Sequence, residues 1–284
     1  MSDEPATSSG PFARLVQVWN WIVSLLQRFF DVLDMIGSSW FLLTETIRWV
    51  WRAMTKPRVR LGWPAIISQL VRVGVRSIFI VSLVSGCVGL ILVLQMAPPL
   101  DEFGRKDLVA NIVGVAVLRE LGPLIGAIVL TGFAGAAIAA ELGTMVVGEE
   151  IEALEAQALN PVRFLVIPRV LASVVGMLCL AVVADIVAIL GGLLVAVLAL
   201  DLSFQTFFDG VTEQAKSIDF VTGVVKSGVF GFLIGLIACN NGLRVSGGAA
   251  GVGKATTDTV VQSVVAIVIA DMLFTAIFFA WKLT

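Results

Sequence analysis

The sequence predicts an all-α integral membrane protein: one or two N-terminal helices lying in the membrane interface, five transmembrane helices, and a short amphipathic helix in an inner loop. Three observations predict it. Hydrophobic residues make up 58% of the 284-residue chain and charged residues 14%, against roughly 45–50% and about 25% in soluble domains. Several uninterrupted apolar runs reach the ~20 residues that cross a bilayer. Lysine and arginine gather ahead of the first run and then in alternate loops, the asymmetry that orients spans.

Residues 1–10 are polar, and no signal-peptide pattern follows them. Residues 11–60 are apolar but punctuated by Arg28, Asp31, Asp34, Glu45 and Arg48, so no charge-free run is long enough to span. Six of the seven tryptophans fall before residue 64. Indole rings favour the headgroup level, which predicts an interfacial region over 11–60. The competing arrangement is an imperfect span within 15–47, opposed by the cost of its charges.

Residues 61–284 form the membrane domain. Its first clear span is 77–100, free of charge. The next apolar stretch, 108–147, carries Arg119, Glu120 and Glu141. Forty helical residues would be ~60 Å long, about twice the hydrocarbon thickness. This stretch must tilt, break or begin outside the bilayer, and Gly122-Pro123 is the expected break. The remaining spans are 170–200 with Asp185, 220–243 with Lys226, and 259–281 with Asp271. Arg48, Arg52, Lys56, Arg58, Arg60, Arg72 and Arg76 precede the first span and put that side in the cytoplasm. The loops 148–169 and 244–258 are then inner, and 101–107 and 201–219 outer. The last of these carries Asp201, Asp209, Glu213 and Asp219 against one Lys216.

The chain has no histidine, so imidazole zinc sites and Ser-His or Cys-His mechanisms are excluded. Cys87, Cys179 and Cys239 lack metal or disulfide spacing and read as small buried apolar residues. The stretch 246-SGGAAGVGKATTDT-259 approaches a phosphate loop, but Ala255 stands where the magnesium-binding hydroxyl is needed and a membrane span precedes it. It reads as a flexible inner turn, with Thr256, Thr257 and Asp258 capping the fifth helix.

The segments 119-RELGPLIGAIVLTGFAGAAIAAELGTM-145, 149-EEIEALEAQALNPVRFLVIPRVLA-172 and 253-GKATTDTVV-261 resemble the MlaE/YrbE family, the permeases of ABC-type lipid transporters that work with MCE proteins. The resemblance runs from about residue 60 to the C-terminus. It implies a homodimer in the bacterial inner membrane with a cytoplasmic N-terminus. It also implies a cytoplasmic ATPase subunit holding ATP and magnesium, a periplasmic MCE-domain protein, and phospholipid or a related lipid as cargo. No cofactor in this chain and no nucleic acid are expected. One departure is Phe133, in T-G-F-A-G, where the family usually has arginine.

Two groups of residues are candidates for function. In 149–160, Ile151, Leu154, Ala158 and Leu159 fall on one helical face, while Glu150, Glu152 and Glu155 lie largely elsewhere. Pro161 is expected to end this helix. Residues alone fit an ordinary surface helix with carboxylates near its N-terminus. The resemblance makes it the coupling helix that docks into the ATPase, with Glu149, Asn160 and Pro161 in the same segment.

The second group comprises charges within spans, which are costly and usually functional. Arg119, Glu120, Lys226 and Asp271 all fall in the outer half of the bilayer, at depths that let them meet and neutralise one another. A network that fixes helix packing and a polar lining near a lipid headgroup are both consistent with this, and the family's lipid cavity lies at that level. Glu141 is expected to pack against the coupling region. Asp185 has no assignable partner. Gly132, Gly135, Ala136, Ala139 and Ala140 form a small-residue stripe suited to contact within the subunit or across a dimer. The rivals are an ion-coupled secondary transporter without an ATPase and an intramembrane lipid enzyme. The absence of histidine and of a paired-acid motif weakens the enzyme reading.

Overall fold

The computed structural model describes residues 19, 20, 23, 37–49, 51, 52, 55, 62–106 and 108–281. The polar tail 1–10 and most of the tryptophan-rich region lie outside the described residues; those described between 19 and 55 are helical. Packing divides the chain between Thr44 and Glu45. Among the described residues there is no strand. Helices follow directly from the apolar composition, because a helix pairs its own backbone groups and can sit in lipid unaided.

Five helices are long and apolar enough to cross a membrane. They are α1 (Trp63–Glu102), α2 (Leu108–Val147), α4 (Val162–Leu200), α6 (Ser217–Leu243) and α7 (Gly248–Ala280). Two shorter helices, α3 (Glu150–Ala156) and α5 (Phe204–Gln214), lie between them at opposite ends of the bundle.

The structure corrects several boundaries. α1 starts at Trp63, because an amphipathic segment Trp63–Val73 runs through a tight turn, Val75–Ser77, into the apolar run. α2 does not break at Gly122-Pro123. A wider π turn, Val117–Leu121, comes first, with the Gly122 N–H bonded to the Val117 carbonyl. That extra residue makes room for the proline ring and its missing donor. A second π turn covers Thr131–Gly135.

The stretch 201–219 holds α5, capped by Ser203, whose hydroxyl accepts from the Thr206 N–H at 3.0 Å. α5 buries Phe207 and Val211 in a core with Val93, Val109, Val113 and Val117. The Gly-rich segment is not a flexible turn: α7 begins at Gly248, after Gly247 at φ 84°. Thr256 and Thr257 therefore sit inside the helix, their hydroxyls bonded to the Gly253 carbonyl instead of capping it.

Small residues let the spans touch backbone to backbone. A Cβ on Gly89 would lie 1.9 Å from the Ala188 carbonyl oxygen, and one on Gly231 2.5 Å from that of Ser173. The small-residue stripe on α2 is used partly within the subunit. Ala139 is fully buried, and Gly135 faces Ile234, whereas Gly132 has open space. Gly89→Ala is expected to collapse the yield of monodisperse protein in size-exclusion chromatography, while Gly132→Ala leaves the subunit's fold intact.

Candidate functional site

Lys226 enters the bundle from the first third of α6 and is completely buried. A buried ammonium is stable only with partners, and three converge on it. Its Nζ donates to Glu120 Oε2 at 2.7 Å and to the Thr275 hydroxyl at 3.0 Å. Asp271 Oδ1 lies 3.0 Å away as an ion pair, though it receives no directed hydrogen bond. Thr275 closes the ring by donating to Glu120 Oε1 at 3.0 Å. The Phe278 ring lies 6.0 Å from Nζ, within range of a cation–π contact.

The local chain explains the convergence. Asp271 and Thr275 are four residues apart on α7 and so share a helix face. Glu120 is carried by the π turn of α2, the kind of irregularity that re-aims side chains at functional sites. The sequence grouped Arg119, Glu120, Lys226 and Asp271. The structure joins the last three and corrects the first. Arg119 Nε donates instead to Asp219 Oδ1 at 3.1 Å. Asp219, buried at the start of α6, also accepts the Lys216 backbone N–H at 3.0 Å. Asp219 falls in the acidic stretch 201–219, which reads as a loop in the sequence but holds the first turn of α6; Thr275 stands one helical turn from Asp271.

Beside these pairs a groove of about 690 Å³ opens between α2, α7 and the end of α5. Arg119 and Glu120 are its charged lining, Asn111, Gln214 and Thr275 add neutral polar groups, and Leu108, Ile112, Val115, Phe278 and Phe279 form its apolar wall. A site with a charged lining and a long apolar wall suits an amphiphile. Phe133, which stands in the second π turn, is not among the groove's lining residues and is 45% exposed.

At the opposite end, Glu141 bridges Arg72 of α1 and Arg169 of α4; its Oε1 accepts from Arg169 at 2.9 Å. It thus fastens three spans together, and its bonds go to these arginines and not to α3. Asp185 is buried on α4 with Oδ1 unpartnered, and a Cβ on Gly122 would collide with that oxygen.

α3 is shorter than the sequence suggested. It ends at Ala156, and Ala158 takes φ 58°. The Ala158 N–H bonds to the Glu155 carbonyl and that of Leu159 to the Leu154 carbonyl, the closure that ends helices on a left-handed residue. Pro161 therefore does not end this helix but opens the next one, and Ala158 is exposed instead of lying on the apolar face. Asn160 caps that next helix: its Oδ1 accepts from the Arg163 N–H at 3.0 Å. Its amide also donates to Glu45 at 3.1 Å. Ile151 and Leu154 are half-buried, while Glu149, Glu150, Glu152 and Glu155 are all exposed.

Five apolar spans around a buried set of ion pairs define a multi-pass membrane protein with a polar site inside it. Residues 66–277 match the family described as Permease MlaE, and the chain belongs to that family. It is 37% identical over 222 residues to a probable ABC transporter permease protein of Rickettsia bellii, covering 78% of this chain and 86% of the relative. An intermembrane phospholipid transport system permease protein MlaE from Haemophilus influenzae is 30% identical over 261 residues, 92% of this chain and 98% of the relative. The chloroplastic protein TRIGALACTOSYLDIACYLGLYCEROL 1 of Arabidopsis thaliana is 32% identical over 243 residues, 82% of this chain and 69% of the relative. The chain is accordingly a permease subunit of an ABC transporter, not a catalytic enzyme.

Proposed function

We propose that this permease moves phospholipid between the inner and outer membranes, driven by ATP hydrolysis in a separate subunit. The observation that carries the reading is the groove beside Arg119 and Glu120, with Lys226 held behind them. A zwitterionic or anionic headgroup finds both charge signs there, and acyl chains find the apolar wall. The name of the Haemophilus relative, an intermembrane phospholipid transport permease, agrees with this cargo.

In this reading two copies of the chain form the transporter in a bacterial inner membrane, with the N-terminus cytoplasmic. Arg72, Arg76, Arg163, Arg169, Arg244 and Lys254 all belong to the α3 end, and cation-rich ends face the cytoplasm. The exposed carboxylates of α3 then meet the ATPase, which binds ATP and magnesium; this chain needs no cofactor of its own. A periplasmic MCE-domain protein would receive or deliver lipid at the α5 end.

Arg119→Ala tests the headgroup role. Arg119 is one-quarter exposed and touches the groove, so its loss is expected to lower phospholipid retained per purified transporter about tenfold, equivalent to ~1.4 kcal/mol. Lipid mass spectrometry checks this. Unchanged retention would leave Arg119 with only a packing role through Asp219.

A further inference from the structure

We propose that Glu45 and Trp49 are positioning residues for energy coupling. They clamp the elbow between α3 and α4 to the helical segment at 45–52, so that a push on α3 turns α4 instead of bending the elbow. The proposal rests on the reading that α3 meets the ATPase.

The elbow is short and needs holding. Residues 157–160 join α3 to the helix opened by Pro161, and Ala158 among them is left-handed at φ 58°. A few residues at an element's end are where hinge motion is absorbed. Asn160 restrains this hinge with both ends of one amide. Its Oδ1 accepts the Arg163 N–H at 3.0 Å, while its Nδ2 donates to Glu45 Oε1 at 3.1 Å. The amide cannot turn over without losing both bonds.

One turn further along each helix, the Arg163 guanidinium lies 5.5 Å from the centre of the Trp49 ring, in cation–π range. Glu45 and Trp49 are four residues apart and Asn160 and Arg163 three, so each pair shares a helix face. A single contact is a pivot; two contacts a turn apart also fix rotation. Arg52, three residues beyond Trp49, steadies the indole from its own helix, at 5.4 Å from the same ring.

The segment has its own hold on the membrane. Ile47 and Trp51, on another face, are 54% and 69% exposed, and an exposed indole favours the headgroup level. It can therefore stay in place while α3 is pushed. α4 passes the motion on, because α6 touches it backbone to backbone: a Cβ on Gly231 would lie 2.5 Å from the Ser173 carbonyl oxygen, and one on Gly235 3.0 Å from the Val170 Cα. α6 carries Lys226, which holds Glu120 at the groove.

The test uses the whole transporter with its ATPase in liposomes containing a fluorescent phosphatidylethanolamine, and reads lipid moved per ATP hydrolysed. Glu45→Leu and Trp49→Leu should each lower that ratio about fivefold, with hydrolysis and melting temperature unchanged. Glu45→Gln, which keeps the acceptor oxygen, should retain the wild-type ratio. The reversal of Glu152 and Glu155 to lysine accompanies them as a control on α3. If the reversal uncouples while both leucine variants keep the wild-type ratio, the clamp is wrong and the α3 reading stands. If the reversal leaves coupling intact, the α3 reading falls and the clamp falls with it. A glutamine variant as uncoupled as the leucine one, or a lowered ratio that comes with an equal loss of hydrolysis and melting temperature, also overturns the proposal.

Discussion

Lys226→Met is expected to destabilise the permease by about 3–5 kcal/mol, the usual result of removing one partner from a buried ion pair. The side chain is completely buried, and its ammonium lies within 3.0 Å of both Glu120 and Asp271. Without it two carboxylates face each other in an apolar bundle with no cation between them. Thermal unfolding in detergent should show the loss. The triple variant Lys226→Met, Glu120→Gln, Asp271→Asn removes all three charges and should recover most of the stability, because the uncompensated acids cause the damage. Lipid retention should stay low in the triple variant, since Glu120→Gln removes the carboxylate that lines the groove and leaves Arg119 as its remaining charge. Recovery of both stability and lipid retention would make the cluster a packing device alone.

The second large effect concerns the link to the ATPase. Reversing Glu152 and Glu155 to lysine should uncouple ATP hydrolysis from lipid movement, with hydrolysis continuing and transport falling at least tenfold. Both side chains are exposed, and neither takes part in an ion pair among the described residues. Their replacement therefore leaves the fold alone, as surface changes usually do. The half-buried Ile151 and Leu154 keep α3 seated against the bundle. Assays on the reconstituted transporter with its ATPase decide the matter: full coupling in the double variant would remove α3 from the energy path.

Much of the architecture was legible because hydropathy over ~20 residues reports the bilayer directly. Meeting of Glu120, Lys226 and Asp271 was legible too, since depth along a straight helix is simple arithmetic. The failures share a cause: local signals were overridden by packing. Glycine disfavours a helix interior by about 1 kcal/mol, yet Gly248–Gly253 is helical. Within it the Gly251 backbone presses so closely on Ser246 that a Cβ would lie 1.9 Å from its carbonyl oxygen. The π turns of α2 carry no composition cue, so Pro123 looked like a break. Asp219 and α5 hid among the charges of a stretch that read as a loop. Ala158 in a left-handed conformation, where glycine is usual, disguised the end of α3.

Mild-detergent purification of the chain from native membranes, with mass spectrometry of the proteins and lipids that accompany it, tests the central claim most directly. The account predicts an ATP-binding subunit and an MCE-domain protein at fixed stoichiometry, with bound phospholipid that Arg119→Ala depletes. A lone, lipid-poor protein whose transport follows an ion gradient would contradict it and make the buried acids an ion-coupling site.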